Sequence, residues 1–333
     1  MVLRRTVVIL LVFVVLLSQQ PAGAWGEYGH IWINEAAAMR LPKSMPLFFR
    51  GAVERFGYLG PEPDRWRNSA AEPNLKYGQE PDHFIDMERL PADFGELPVG
   101  RNLYVRKLYE ARAKALAAGM DPKKADELLP EKVGFQPYIT IEIMDRLRVA
   151  FREYRHAKAE KKSTFGIEQN IIFYAGWMGH YVADASQPLH TTVNYDGWVQ
   201  ENPHGYRTEK GFHSDFETRF VKESFKGPND FVSLLRAPKV VEKPFGAYQE
   251  FLKASNAMVP QVYELEKSGA FNGKGTTEGR EFVRQRLAAG AQMLADLWYT
   301  TWMESATDPP DPYAPKKPEG VKPKAKKSST KTQ

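Results

Sequence analysis

His180 and Asp184 stand four residues apart, and so do His213 and Glu217. On a helix that spacing projects both side chains from one face, one turn apart. His190 follows the first pair just beyond Pro188, and His30, Asp64 and His83 add further imidazoles and a carboxylate. A single His-x-x-x-acid pair is ordinarily a surface ion pair. Here the number of such groups matters more than any one pair. Imidazole and carboxylate are the ligands zinc takes where thiolate is absent, commonly four per closed site, and the chain has no cysteine. The donor set is large enough for several ions.

Elements that could position these groups are helical. Ile167, Ile171, Ile172, Ala175, Met178 and Val182 share one face of a helix expected over 166–185, and Pro188 prevents its continuation. A second long helix, over 277–305, carries Phe282, Val283, Leu287, Ala291, Leu294, Trp298 and Trp302 on a stripe. Shorter helical patterns cover 31–41, 103–118, 139–159, 212–225 and 247–267, and no alternating strand pattern or internal repeat recurs. Between His190 and His213 lies a stretch rich in Asn, Asp, Gly and Pro, without periodicity. Connections of that length are more often functional than idle.

The two ends of the chain differ from the middle. Two basic residues, an apolar run over 6–17 and Ala22-Gly23-Ala24 follow the plan of a secretory signal peptide cleaved after Ala24. The run is about a dozen residues and a membrane-spanning helix needs roughly 20, so we expect an exported protein, periplasmic or extracellular, with a free amine on Trp25 and no membrane anchor. Residues 308–333 are Pro-rich and then Lys-rich, and are expected to form a disordered tail that could contact polyanions. Residues 25–315 hold 37 of the 46 Lys and Arg and 40 of the 41 acids, a net charge of −3. The excess of positive charge therefore belongs to the tail and says nothing about nucleic acid binding by the body.

Three stretches carry a family resemblance. Trp25-Gly26-Glu27-Tyr28-Gly29-His30, His180-Tyr181-Val182-Ala183-Asp184-Ala185-Ser186-Gln187-Pro188-Leu189-His190 and Gly211-Phe212-His213-Ser214-Asp215-Phe216-Glu217 are similar to the signatures of the zinc-dependent phospholipase C and single-strand-specific nuclease superfamily. Ala183 stands where that family usually has Gly, at a position that supplies no ligand. The resemblance implies a single all-α domain over 25–307 with a trinuclear zinc site in a cleft. One zinc would take Asp64, His83, His180 and Asp184. A second would take the Trp25 amine and carbonyl, His30 and a bridging Asp184. The third would take His190, His213 and Glu217.

The implied chemistry is hydrolysis of phosphate esters: a water shared between two zinc ions has its pKa lowered towards about 7 and can attack phosphorus. Asp64 would orient that water, Arg67 would contact the phosphate, and Phe84 and Asp86 would bind substrate by stacking and hydrogen bonding. His156 and His204 fit no ligand position; His156 reads as a solvated face residue and His204 as a turn residue. The spacing from Trp25 to His30, Arg67 and Gln187-Pro188-Leu189-His190 look nuclease-like, whereas Glu217 looks phospholipase-like. The balance leans to a nuclease acting on single-stranded DNA or RNA; a phospholipase C hydrolysing phospholipid head groups is the alternative, and a non-catalytic metal-stabilised binding protein is the third reading.

Overall fold

The computed structural model describes residues 25–67 and 72–309. The leader expected over 1–24, and all but the first two residues of the expected tail, lie outside the described residues. The described chain is all-α, with no β-strand among the described residues. Among the described residues seven helices reach nine residues or more: α1 (Gly26–Met39), α2 (Arg101–Ala117), α3 (Gln136–Ala159), α4 (Phe165–Ser186), α5 (Pro244–Asn256), α6 (Val259–Lys267) and α7 (Thr277–Glu304). Among the described residues no helix is long and apolar enough to cross a membrane.

Helix α4 lies at the centre, with α1, α3 and α7 packed on it. Its first half is one-sided, Ile171 and Ala175 buried and Phe165 exposed. From Met178 to Ser186 every residue is buried. A helix buried all round must satisfy its polar side chains inside the protein, so His180 and Asp184 are placed where they need partners other than water. Helix α7 is capped by Thr276, whose hydroxyl accepts from the Gly279 amide, and buries Phe282, Val283, Leu287, Ala291, Leu294 and Trp298. The Trp298 ring meets Phe49 at 5.4 Å and Phe56 at 4.7 Å. Each of these Phe, Val and Leu side chains contributes about 1.5–3 kcal/mol through burial.

Two helical expectations change. The pattern over 247–267 is two helices, α5 and α6, because Pro260 cannot donate the backbone hydrogen bond that would join them. The pattern over 212–225 is helical as far as Ser224 but widens over Asp215–Phe220 into a π-helical turn, a distortion common at functional sites. Three short helices, Val53–Leu59, Glu62–Arg67 and Pro73–Gln79, were not legible, since Gly and Pro punctuate them. The second carries Asp64 and Arg67.

Candidate metal centre

His180 and Asp184 point together from the buried half of α4, with His180 Nε2 3.4 Å from Asp184 Oδ2. His83, at the end of the turn Glu80–His83, brings Nδ1 to 2.9 Å from His180 Nε2 and 3.2 Å from Asp184 Oδ2. Asp64 completes this group, its Oδ1 3.8 Å from His83 Nδ1. His30, from α1, stacks on His180 with ring centroids 4.0 Å apart and sets Nε2 3.4 Å from Asp184 Oδ1. Asp184 therefore faces two sets of imidazoles with its two oxygens. A third group forms where the π-helical turn presents Glu217: its Oε2 lies 3.0 Å from His213 Nε2 and 3.6 Å from His190 Nε2.

The rings are aimed by backbone carbonyls. His180 Nδ1 lies 2.8 Å from the Gly60 carbonyl, His190 Nδ1 2.7 Å from that of His83, and His213 Nδ1 3.1 Å from that of Tyr195. In each, Nδ1–H donates outwards, which leaves the Nε2 lone pair pointing into the centre, the arrangement a ligating imidazole requires. Gly60 can approach this closely because it lacks a Cβ, which would sit 2.7 Å from the His30 carbonyl. The Ile85 amide donates to the His190 carbonyl at 3.0 Å, so the segments bearing His83 and His190 hold each other.

Donors for cations outnumber protons here. Of ten buried polar side-chain atoms without a hydrogen-bond partner among the described residues, six belong to this centre: both ring nitrogens of His30, His83 Nε2, Asp184 Oδ1, His190 Nε2 and Glu217 Oε1. Buried polar atoms are rarely left unpaired. Their concentration at one place, together with three groups of imidazole and carboxylate atoms each within 4.8 Å of one another, fits bound divalent metal and suits zinc by ligand type.

Burial, and then neighbouring positive groups, holds His30, His83 and His180 well below the ordinary histidine pKa, and burial lowers His190. Burial and then Asp64 push Asp184 well above the carboxylate range. For His213 burial acts downwards but is outweighed by Glu217, so its pKa rises; for Glu217 burial acts upwards but is outweighed by His213 and His190, leaving it at about 2. Burial thus favours the neutral form of His30, His83, His180 and His190. Zinc loading should therefore displace protons chiefly from Asp184 and His213, and from the Trp25 amine where that is free. Calorimetry in buffers of different ionisation enthalpy measures the release, and loading that releases no proton would contradict it.

The centre opens into a cleft of about 600 Å³, lined by Arg67, Tyr77, Phe84, Asp86, Arg89 and Tyr195 among others. Arg67 donates to Asp64 Oδ1 through Nε at 3.2 Å and Nη2 at 3.1 Å. Phe84 is half-buried on the cleft wall instead of in the core. Asp86 also lines the cleft, but its carboxylate accepts from Arg89 Nε at 2.8 Å and its amide donates to the Val133 carbonyl, so part of its bonding capacity is already used. His156 pairs with Asp308 at 3.0 Å, both exposed, and the His204 ring stacks on Tyr206. Neither approaches the centre.

The grouping of Trp25 differs from the expected one. Its backbone nitrogen lies 3.1 Å from Glu217 Oε2, in the third group, and its carbonyl accepts from the Gly29 amide at 3.1 Å. A nitrogen in peptide linkage has a proton to donate and no lone pair for a metal, so it seeks a carboxylate. Sequence reasoning missed Gln187, whose Nε2 donates to Glu217 Oε2 at 3.0 Å, and Ser186, which accepts from the Trp25 indole at 2.9 Å. Both lie inside the second motif. Tyr77, at the cleft mouth, had no signal at all.

No protein-family model matches this chain. A "probable serine protease" of Bradyrhizobium tropiciagri is 27% identical over 278 residues, covering 71% of this chain; the chain spans 33% of that relative. Among solved structures, the alpha toxin from Clostridium absonum superposes over 84% of this chain and 64% of its own, with 12% identity and a TM-score of 0.41. The Clostridium perfringens alpha-toxin isolated from avian strain SWCP covers 86% and 66%, with 14% identity and a TM-score of 0.37. This chain spans slightly under two thirds of either toxin. At such distances function has to be read from the site. Histidine rings at this site bond carboxylates, one another and backbone carbonyls, and among the described residues no hydrogen bond joins one of them to a serine hydroxyl.

Proposed function

We propose that this chain is a zinc-dependent phosphodiester hydrolase. The observation that carries the reading is the buried convergence of five imidazoles and three carboxylates, several of their atoms without a hydrogen-bond partner, beside a cleft that Arg67 lines. His30, Asp64, His83, His180 and Asp184 would hold two zinc ions, and His190, His213 and Glu217 a third; the Trp25 amine would join once it is free. Zinc so held acidifies water towards neutral pKa and offsets charge on phosphoryl and departing oxygens. The chain's own residues do the positioning. The planar fork of Arg67 suits two phosphate oxygens, and its grip on Asp64 Oδ1 fixes the carboxylate that would orient water. The carbonyls of Gly60, His83 and Tyr195 keep three imidazoles in the ligating tautomer.

Two substrate classes fit the cleft. Tyr77, Phe84 and Tyr195 offer aromatic faces to an unstacked base, which supports single-stranded DNA or RNA. Charge around the cleft favours the other class. Glu80, Asp86, Glu131 and Asp196 outnumber Arg67, Arg89 and Lys132, a rim better suited to the cation-bearing head group of a phospholipid than to a long polyanion.

Assays on single-stranded DNA, RNA and phosphatidylcholine, each across a salt series, test both. Nucleic acid cleavage should weaken with salt by roughly 0.7 log unit per log unit for each phosphate held, whereas head-group hydrolysis should change little. Inactivity on all three after zinc loading would overturn the hydrolase reading in favour of a metal-stabilised binding protein.

A further inference from the structure

Helix α4 ends inside the protein, where its last carbonyls have no helical partner. Each is met by a different group. The Ala183 carbonyl accepts from Ser186 Oγ at 2.8 Å, that of Asp184 from the Gln187 amide at 3.0 Å, that of Ala185 from Ser255 Oγ at 2.6 Å, and that of Ser186 from Arg286 Nε at 2.9 Å. Arg286, on α7, also donates through Nη2 to Ser255 Oγ at 3.2 Å and sets Nη1 3.1 Å from Met258 Sδ.

Arg286 is only 6% exposed, and no carboxylate pairs with it among the described residues. A buried cation held by neutral acceptors alone is costly. What offsets that cost is the negative end of the α4 dipole, which the guanidinium faces; burial still lowers its pKa to about 10. Nothing in the packing of α7 alone calls for a charge here.

The same helix end holds two pieces of the metal centre. Ser186 Oγ accepts from the Trp25 indole, which fixes the residue whose nitrogen reaches Glu217. Gln187 turns its Oε1 to the Leu189 amide at 2.6 Å and its Nε2 to Glu217 Oε2 at 3.0 Å. Asp184 itself lies two residues before the carbonyl that Arg286 holds.

We infer that Arg286 is a positioning residue for the metal centre: by closing the end of α4 it keeps Asp184, Trp25 and Gln187 in register and thereby sets zinc affinity. The inference rests on the metal-centre reading above. Arg286→Met removes the fork at similar length, Arg286→Lys keeps the charge without the fork, and Ser255→Ala removes one hydroxyl from the same junction. Protein beginning at Trp25 is equilibrated with zinc against a competing chelator and its metal counted by elemental analysis. Cobalt(II) loading provides a visible ligand-field spectrum, and circular dichroism reports helix content.

Both Arg286 variants should lose zinc affinity by about tenfold or more, the range for residues that support metal ligands from behind. The cobalt spectrum should change while helix content does not, and Ser255→Ala should shift both readouts in the same direction by less. Unchanged affinity and spectrum in Arg286→Met overturn the inference; should that variant not fold, the same result in Ser255→Ala overturns it. Parent protein that takes up neither zinc nor cobalt overturns the metal-centre reading itself, whereas normal loading of the parent with unshifted variants removes only the role of Arg286.

Discussion

Asp184→Asn is expected to strip two of three zinc ions and to slow phosphodiester hydrolysis by about a thousandfold or more. Asp184 Oδ1 lies 3.4 Å from His30 Nε2, while Oδ2 lies 3.2 Å from His83 Nδ1 and 3.4 Å from His180 Nε2. One carboxylate thus serves two sets of ligands, and the amide replaces an oxygen with a group that presents hydrogens to neighbouring lone pairs. Loss of Lewis acid and acidified water together removes several kcal/mol of transition-state stabilisation, and each 1.36 kcal/mol is tenfold in rate. The fold should survive. Asp184 is buried and its pKa is raised, so its ionisation at neutral pH opposes folding of the metal-free chain, and stability from its protonated form is lost as pH rises through the folded pKa. Metal-free Asp184→Asn should therefore melt no lower than metal-free parent at pH 7. Elemental analysis should find about one zinc per chain against about three; a variant retaining three ions and parental rate would sink the shared-ligand assignment.

Residues retained or added before Trp25 should cost one zinc ion and about a hundredfold in rate, on the same reckoning for a single ion. Trp25 is fully buried, its indole held by Ser186 and its nitrogen 3.1 Å from Glu217 Oε2. Trp25 and Gly26 both adopt left-handed backbone, with φ of 51° and 53°. Only glycine serves at the second position, since a Cβ there would lie 3.0 Å from Thr218 Cα. This geometry holds the nitrogen beside Glu217. A terminal amine, with an ordinary pKa near 8, can give a metal its lone pair; the amide of a peptide bond has none to give. Comparing protein that begins at Trp25 with a version bearing two extra residues tests the point. Equal zinc content and equal rate in both would show that the nitrogen is no ligand.

The donors themselves were readable from residue type. His180 with Asp184 and His213 with Glu217 share helical spacing, and the fold class followed from apolar periodicity over 166–185 and 277–305. Helix ends were less legible: α1 begins at Gly26, five residues before its apolar pattern, because Gly26, Glu27 and Gly29 carry no apolar periodicity. Asp64 and Arg67 stood in a Gly- and Pro-rich stretch with no apolar stripe, so their short helix was invisible even though both residues could be named.

What sequence determined by itself was an all-helical chain with enough imidazole and carboxylate, and no thiolate, to hold several zinc ions. Tertiary structure decided which atoms face one another. It placed Glu217 of the second pair on a π-helical turn, aimed Nε2 of three histidines with carbonyls of Gly60, His83 and Tyr195, set Trp25 against Glu217, and closed α4 with a buried arginine. Periodicity records which face of an element is apolar, a local property of neighbouring residues. Ring orientation and hydrogen-bond pairing depend on groups in other segments, a hundred or more residues distant for His190 with His83 and Arg286 with Ser186, and no spacing within one element encodes them.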